Sequence, residues 1–237
     1  MACSRADDKG EAGYATVAAL GVSLAVALLA GALVLRGVSA LKLARADFRR
    51  SQAEYALSGA QMLATTKLLN SSGAGRLAWS VGGLDGRDVV MLAETEGGKL
   101  TLAAAATLDE KALTLLGAAD PGEARDRLAA LDPAKATPDQ VVAADAGVGW
   151  RVCATSAISP WGGAAVLHLD PAQAPSLEPG GARAGQVWRV RATTSDGWTD
   201  ERIVRLIGRA ETPSAVIWRR FGRGAGKGVT CDKTIGN

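Results

Sequence analysis

The apolar positions at the start of the chain form one uninterrupted run. Residues 14 to 35 span 22 positions without a charged side chain, and a short polar leader precedes them. At about 1.5 Å per residue, a helix of this length crosses a hydrocarbon core of about 30 Å. A secretory signal peptide has a shorter apolar core with a small-residue cleavage site behind it. Here the run continues into Arg36 without such a site, which favours a membrane-spanning helix at residues 14–35.

Beyond the span the pattern becomes one-sided. Apolar residues recur at every seventh position, and basic and polar residues lie between them, which predicts an amphipathic helix. The sequence Asn70-Ser71-Ser72-Gly73 then predicts its end. One continuous helix from Tyr14 to Leu69 would be about 84 Å long, with its second half packed under a globular head. The alternative is a membrane anchor followed by a coiled-coil stalk. The repeating apolar positions are Leu41, Phe48, Tyr55, Met62 and Leu69, and the stripe is widened by Ala44, Ala56, Ala60, Leu63 and Ala64.

The middle of the chain predicts short strands followed by short helices. Residues 76–81, 88–93 and 99–104 are strand candidates, because they are bounded by glycine-rich turns. Helices are expected at residues 108–116 and 122–131, and Asp120-Pro121 suits the entry of the second.

A third short helix is expected to open in the same way at Thr137-Pro138. Residues 147–161 have no regular pattern, and 164–169 form another short strand candidate. The stretch 171–185 is rich in Pro, Gly and Ala, and it predicts a long exposed loop.

The clearest β pattern lies in the last third. Residues 186–193, 201–208 and 214–221 predict an antiparallel three-stranded meander, with a hairpin turn at Ser195-Asp196-Gly197. The apolar face of the meander is predicted to contain Trp188, Val190, Ile203 and Ile217. The fold class is therefore α+β, a long N-terminal transmembrane and amphipathic helix packed on a globular head with an antiparallel sheet.

Charge limits the partners and leaves a conflict over orientation. A net charge of +3 on 237 residues argues against nucleic-acid binding, which needs a dense basic face. The leader holds Arg5 and Lys9 with three acidic residues, whereas the segment after the span is strongly basic. The positive-inside rule would therefore place the head in the cytoplasm. The basic residues of that segment are Arg36, Lys42, Arg45, Arg49 and Arg50.

The sequence contains no convincing catalytic or cofactor motif. His168 is the only histidine, and no serine lies in a nucleophile-elbow pattern. The glycine-rich segment 222–228 lacks the first glycine and the Ser/Thr of a phosphate loop. Asp109-Glu110 and Asp200-Glu201 are interpreted as caps and solvated faces rather than acid–base pairs. We therefore expect neither an enzyme nor a cofactor, and no metal ligands can be named.

The three cysteines allow one disulfide in the head. Cys153 and Cys231 could join the C-terminal tail to the body if the head is exported. The alternative is two free buried thiols, which behave as small apolar side chains. Cys3 has no apolar stretch before it and is not a lipobox cysteine.

A glycine, an aromatic residue and an uninterrupted apolar helix follow one another at Gly13 and Tyr14. This junction resembles the class III signal of type IV pilins and type II secretion pseudopilins. The resemblance implies that a prepilin peptidase cuts between Gly13 and Tyr14 and that the new N-terminus is methylated. Most pilins have glutamate at the fifth mature position, which here is Ala18. Minor pseudopilin K of type II secretion typically lacks that glutamate too.

Two further segments are similar to pseudopilin K. They are the Glu96–Leu102 stretch (EGGKLTL) and the closing strand around Val216–Arg220. The resemblance implies a leader at residues 1–13, a helix at 14–72 and a periplasmic α+β head at 73–237.

The implied function is that of a minor pseudopilin at the tip of a type II secretion pseudopilus, with a single pass through the bacterial inner membrane. The implied partners are other minor and major pseudopilins and the prepilin peptidase. A minor type IV pilin or another membrane-anchored periplasmic binding module remains the alternative.

Overall fold

A computed structural model describes residues 9–70, 75–82, 88–167, 182–209 and 211–223. The chain divides into two compact units, Met1–Gln52 and Ala53–Asn237. The predicted α+β fold class is confirmed, because a long apolar N-terminal helix and a globular part with a five-stranded antiparallel sheet are both present.

The first unit is formed by the N-terminal part of helix α1, which runs from Lys9 to Asn70. The single continuous helix predicted from Tyr14 to Leu69 is thus present, and it begins several residues earlier. From Thr16 to Gln52 every side chain is exposed, including the large apolar side chains of the uncharged run.

In the second unit, the C-terminal part of α1 packs on the sheet through a face that coincides only partly with the predicted one, because Ala60 and Ala64 are buried but the heptad positions Tyr55 and Met62 are not. Tyr55 and Met62, which belong to the predicted seven-residue stripe, are 81% and 74% exposed. The buried positions instead follow spacings of three and four, which keeps them on one side of a helix. Three of the five buried apolar residues are alanines, which let the helix backbone approach the strands closely. The buried apolar positions are Ala53, Leu57, Ala60, Ala64 and Leu68, and the polar residues Gln61 and Thr65 are buried too.

The sheet is an antiparallel meander in the order β1-β2-β3-β4-β5. The predicted three-stranded meander is confirmed as β3, β4 and β5, and the two early strand candidates join it as β1 and β2. A register shift between Ile203 and Val204 interrupts the pairing of β4 with β5. The strands are β1 (Arg76–Gly82), β2 (Asp88–Thr95), β3 (Val187–Thr194), β4 (Trp198–Leu206) and β5 (Ser214–Arg223).

Strand alternation gives the sheet two different faces. Met91, Trp188 and Val190 face α1 and are buried in one core with Leu57 and Leu68. Ile203 was expected on this face, but it pairs with Arg189 and therefore lies on the opposite side from Trp188 and Val190. The predicted apolar face was thus only partly correct.

Between β2 and β3 the described residues form five short helices, which we call the insert. They are α2 (Leu102–Ala105), α3 (Glu110–Leu115), α4 (Pro121–Ala129), α5 (Pro138–Val142) and α6 (Val148–Ala157). Their buried side chains form a second core around Trp150, Leu113 and Leu128, separate from the core under α1.

The predicted helix starts of the insert are confirmed by their caps. The carboxylates of Asp109 and Asp120 accept hydrogen bonds from the backbone N–H groups of Ala112 and Glu123. Thr137 and Gln140 form a capping box at the start of α5. These bonds satisfy donors that would otherwise have no partner at a helix N-terminus.

Three predictions about the insert were wrong or incomplete. The strand expected at residues 99–104 is a single bridging residue, Leu100, followed by helix α2, because Thr101 caps that helix. The irregular stretch 147–161 contains helix α6, which buries Trp150 on one side. The strand expected at 164–169 is an isolated bridge at Ala164, with residues 168 and 169 outside the described part of the chain.

The packing of α1 predicts unequal effects of substitutions on its two sides. Leu57→Ala should lower the free energy of unfolding of the head by about 2–5 kcal/mol, because it removes a fully buried side chain. Met62→Ala, on the exposed side, should change it by less than about 0.5 kcal/mol. Denaturant unfolding of the full chain in detergent, followed by tryptophan fluorescence, measures both. Equal losses from the two variants would contradict the packing face.

Candidate functional site

The uncharged half of α1 is the first candidate functional feature. It is the one helix, among the described residues, that is long and apolar enough to span a membrane. Gly13 and Tyr14 both lie within α1, and the Tyr14 side chain is 80% exposed. Ala18 is exposed one helical turn further on. The predicted cleavage junction and the fifth mature position therefore share one continuous helix with the candidate span.

The second candidate is a cluster of buried charges on the sheet face opposite α1. Glu96, which follows β2, is fully buried and accepts hydrogen bonds from Lys99 Nζ at 2.6 Å and Arg189 Nε at 2.7 Å. Arg189 Nη1 also donates to Glu201 Oε1 at 3.1 Å. One guanidinium on β3 thereby connects a carboxylate beside β2 to a carboxylate on β4.

Glu201 completes this cluster with two more arginines. Its side chain is almost fully buried, and it accepts hydrogen bonds from Arg191 Nη2 at 2.9 Å and Arg220 Nη2 at 2.7 Å. The Glu96 cluster, as we call Glu96, Lys99, Arg189, Arg191, Glu201 and Arg220, thus crosses from β2 to β5.

The charge state of this cluster follows from its pairing. Burial alone would raise the pKa of Glu96, but Lys99 and Arg189 oppose it and lower that pKa to about 2. Burial likewise acts to raise the pKa of Glu201, and its three arginines lower it to about 2. Burial lowers the pKa of Lys99, while the charge of Glu96 counteracts the shift. Both carboxylates are therefore ionised at neutral pH.

The Glu96 cluster also holds the helical insert against the sheet. Lys99 Nζ donates to the backbone carbonyl of Thr155 in α6 at 3.0 Å. On the other side of the insert, Trp218 Nε1 of β5 donates to Asp139 Oδ2 of α5 at 3.0 Å. The two apolar cores are separate, so these polar contacts help to fix the position of the insert on the sheet.

A second group of charges lies on the α1 side of the sheet. Asp200 is fully buried and accepts hydrogen bonds from Arg202 and from Arg219, at 2.6 Å and 2.9 Å. Arg219 reaches Glu54 of α1 at 3.0 Å. In addition, Gln61 Nε2 of α1 donates to the backbone carbonyls of Val190 and Asp200, at 3.0 Å and 2.8 Å. These contacts set the position of α1 along the strands.

The interpretation of Asp200-Glu201 as a cap or solvated face was wrong. Both residues lie inside β4, and strand alternation sends their side chains to opposite faces of the sheet, where each is buried among arginines. In both groups each buried carboxylate is hydrogen-bonded to at least two cations, so the arrangement is a structural network of ion pairs. The sequence signal was the spacing of Arg189 and Arg191 on a strand, because arginines within a sheet need carboxylate partners.

The structure describes only some of the remaining predicted site residues. Cys153 is buried and disulfide-bonded, but Cys231 lies outside the described residues, so their pairing stays a prediction. Cys3, His168, most of the glycine-rich segment 222–228 and most of the predicted loop 171–185 are outside them as well. Across the described parts of the chain, no group of three or more His, Cys, Asp or Glu residues could hold a metal ion.

Comparison with known proteins gives no relative. No protein-family model, no curated protein and no solved structure matches this chain.

The depressed carboxylate pKa values predict that the head loses stability in acid. A folded-state pKa of about 2 lies below the ordinary value of 4.5, so the stabilisation is complete above about pH 4.5 and is lost as the pH falls toward 2. Linkage gives on the order of 3 kcal/mol for each of Glu96 and Glu201. Thermal unfolding of the full chain in detergent, measured from pH 2 to 7, should show a falling melting temperature below pH 4.5.

Two variants distinguish acid sensitivity caused by the Glu96 cluster from a general effect of acid on the protein. Glu201→Gln should lower the melting temperature at neutral pH and flatten its dependence on pH, because one of the titrating carboxylates is gone. The matched control is Glu110→Gln, which removes an exposed carboxylate of the insert and should keep the wild-type profile. If the melting temperature of Glu201→Gln fell in acid as steeply as that of the wild type, the acid sensitivity would not arise from Glu201.

The disulfide prediction can be checked directly. Peptide mapping of the unreduced full chain by mass spectrometry should recover Cys153 joined to Cys231, and Cys231→Ser should expose a thiol at Cys153 after denaturation. Recovery of Cys153 joined to Cys3 would refute the predicted pairing.

Proposed function

We propose that this chain is a minor pseudopilin of the K type, a structural subunit at the tip of a type II secretion pseudopilus. The observation that carries the proposal is the division of α1. Residues 14–35 carry no charge and their described side chains are exposed, whereas residues 53–70 of the same helix are packed on an antiparallel sheet. A subunit that moves from a bilayer into a fibre needs a helix of this kind.

The proposed mechanism is assembly rather than catalysis. Prepilin peptidase trims the leader after Gly13, and the new N-terminus at Tyr14 is methylated. The helix then leaves the inner membrane and bundles with the helices of other pseudopilins, while the head remains in the periplasm. The resemblance implies that a glutamate at the fifth mature position sets register on a neighbour. Its replacement by Ala18 suits a subunit with nothing above it.

A second candidate is a membrane-anchored periplasmic binding module on a coiled-coil stalk. The observation that favours it is the exposure of Phe48, Tyr55 and Met62, which recur at seven-residue spacing and face away from the sheet or lie before it. A minor type IV pilin is a third possibility within the same structural class. Co-purification distinguishes the three candidates. A minor pseudopilin should co-purify with other pseudopilins, a minor type IV pilin with pilus subunits, and a binding module with neither.

The mature N-terminus tests the pseudopilin proposal. Intact mass spectrometry of the membrane-purified protein should find a chain that begins at methylated Tyr14. Gly13→Val should leave residues 1–13 attached, because the peptidase of the resembled families cuts after the glycine that this variant removes. Gly10→Val, within the same leader, is the matched control and should be trimmed normally.

Two results would contradict this proposal. One is a wild-type protein that keeps its leader, and the other is cleavage behind the apolar run. Retention of the leader together with normal membrane attachment would favour the binding module, since a plain anchor needs no processing.

A further inference from the structure

The segment that follows the apolar run of α1 is strongly basic and fully exposed. Between Arg36 and Arg50 the single acidic residue is Asp47. All of these side chains are exposed, and within the described residues Arg36, Lys42, Arg45 and Arg49 form no ion pair. Among the residues that the structure describes, these four cations have no ion-pair partner, and they follow the apolar run in the sequence.

Helix geometry gathers three of these cations on one side. Lys42, Arg45 and Arg49 are separated by three and four residues, so they share one face of α1. The Cα–Cβ bonds of a helix tilt toward its N-terminus, and long side chains follow that direction. The charged groups therefore extend back toward the apolar run.

The distances place these charges in the lipid headgroup layer or within reach of its electric field. Measured from Leu35 along the helix axis, Lys42 lies about 10 Å away, Arg45 about 15 Å and Arg49 about 21 Å. A headgroup layer is about 5–7 Å thick, and its field extends by about 8–10 Å at physiological salt. Backward-leaning side chains bring Lys42 into the layer, Arg45 to its edge and Arg49 into the outer part of its field.

We propose that Arg36, Lys42, Arg45 and Arg49 form a binding surface for anionic phospholipid headgroups, in the leaflet that borders the C-terminal end of the span. Charge complementarity and direct continuity with the apolar run identify lipid as the occupant. Near Arg36 and Lys42 an acidic protein would have to displace the headgroups to reach the same charges. This surface requires the span alone, so it does not depend on the pseudopilin proposal or on cleavage after Gly13.

Competition between two lipids tests the surface. The full chain, immobilised through a C-terminal tag, is equilibrated with mixed micelles that contain equal amounts of phosphatidylglycerol and phosphatidylcholine. The retained lipid is then quantified by mass spectrometry after washing in 50 mM or 500 mM NaCl. Phosphatidylglycerol should be enriched at low salt, and the enrichment should fall at high salt because screening weakens surface charge interactions.

Single substitutions should show a gradient along the helix. Arg36→Gln or Lys42→Gln should reduce the ratio of retained phosphatidylglycerol to phosphatidylcholine by about fivefold, the effect of one basic residue at an anionic surface. Arg45→Gln should reduce it less, and Arg49→Gln least. Lys42→Arg should keep the wild-type ratio, and so should Lys111→Gln, which removes an exposed charge from the insert.

Three outcomes would overturn the proposal. They are equal retention of both lipids by the wild type, a loss in Lys111→Gln equal to that in Lys42→Gln, and an effect of Arg49→Gln as large as that of Lys42→Gln. The first outcome would mean that the four cations bind an acidic protein rather than lipid. The last would mean that binding does not depend on the distance of a cation from the span.

Discussion

The constraint on which this structure depends is the uncharged surface of α1 between residues 14 and 35. Apolar surface in water costs roughly 25 cal/mol per Å², and the described side chains of this run are exposed. The helix therefore needs lipid or other apolar helices around it. In residues 53–70 of the same helix, apolar side chains such as Leu57 and Leu68 are instead buried against the sheet.

The head buries charged side chains on both faces of its sheet, each carboxylate among cations. The face toward α1 packs through Trp188 and Val190 and also holds Asp200, and the other face carries Glu96 and Glu201. Burying ions is costly, so such pairs are weak evidence for stability. Removal of one partner, however, leaves the other charge buried and uncompensated. The Glu96 cluster therefore ties the insert to the sheet in one defined arrangement.

The sequence was informative where a pattern is local. The uncharged run, the caps at Asp120 and Thr137, and the strand alternation around Trp188 and Val190 all predicted the elements that are present. Helix capping and strand alternation depend on residues within a few positions of one another, so they can be read without knowing the fold.

The sequence misled where partners are distant. On α1 a seven-residue repeat and a stripe with spacings of three and four are both present, and only the position of the sheet decides which one is buried. Glu96 and Arg189 are 93 residues apart, and Glu54 and Arg219 are 165 apart. Nothing local to Asp200-Glu201 shows that five arginines converge on it, so its burial could not be predicted from caps or turns.

The basic residues that follow the span bear on the orientation of the chain in the membrane. The positive-inside rule counts Lys and Arg close to a membrane helix, and here the count favours a cytoplasmic head. An exported head must bring Arg36, Lys42, Arg45 and Arg49 across the bilayer against that bias. Attraction to anionic headgroups on the far side, worth about 1 kcal/mol for a charge at the surface and less for the more distant ones, would offset part of this cost once the crossing is complete. The same four charges would then oppose release of α1 from the bilayer, so assembly into a fibre would need acidic groups or close helix packing to replace the lipid contacts.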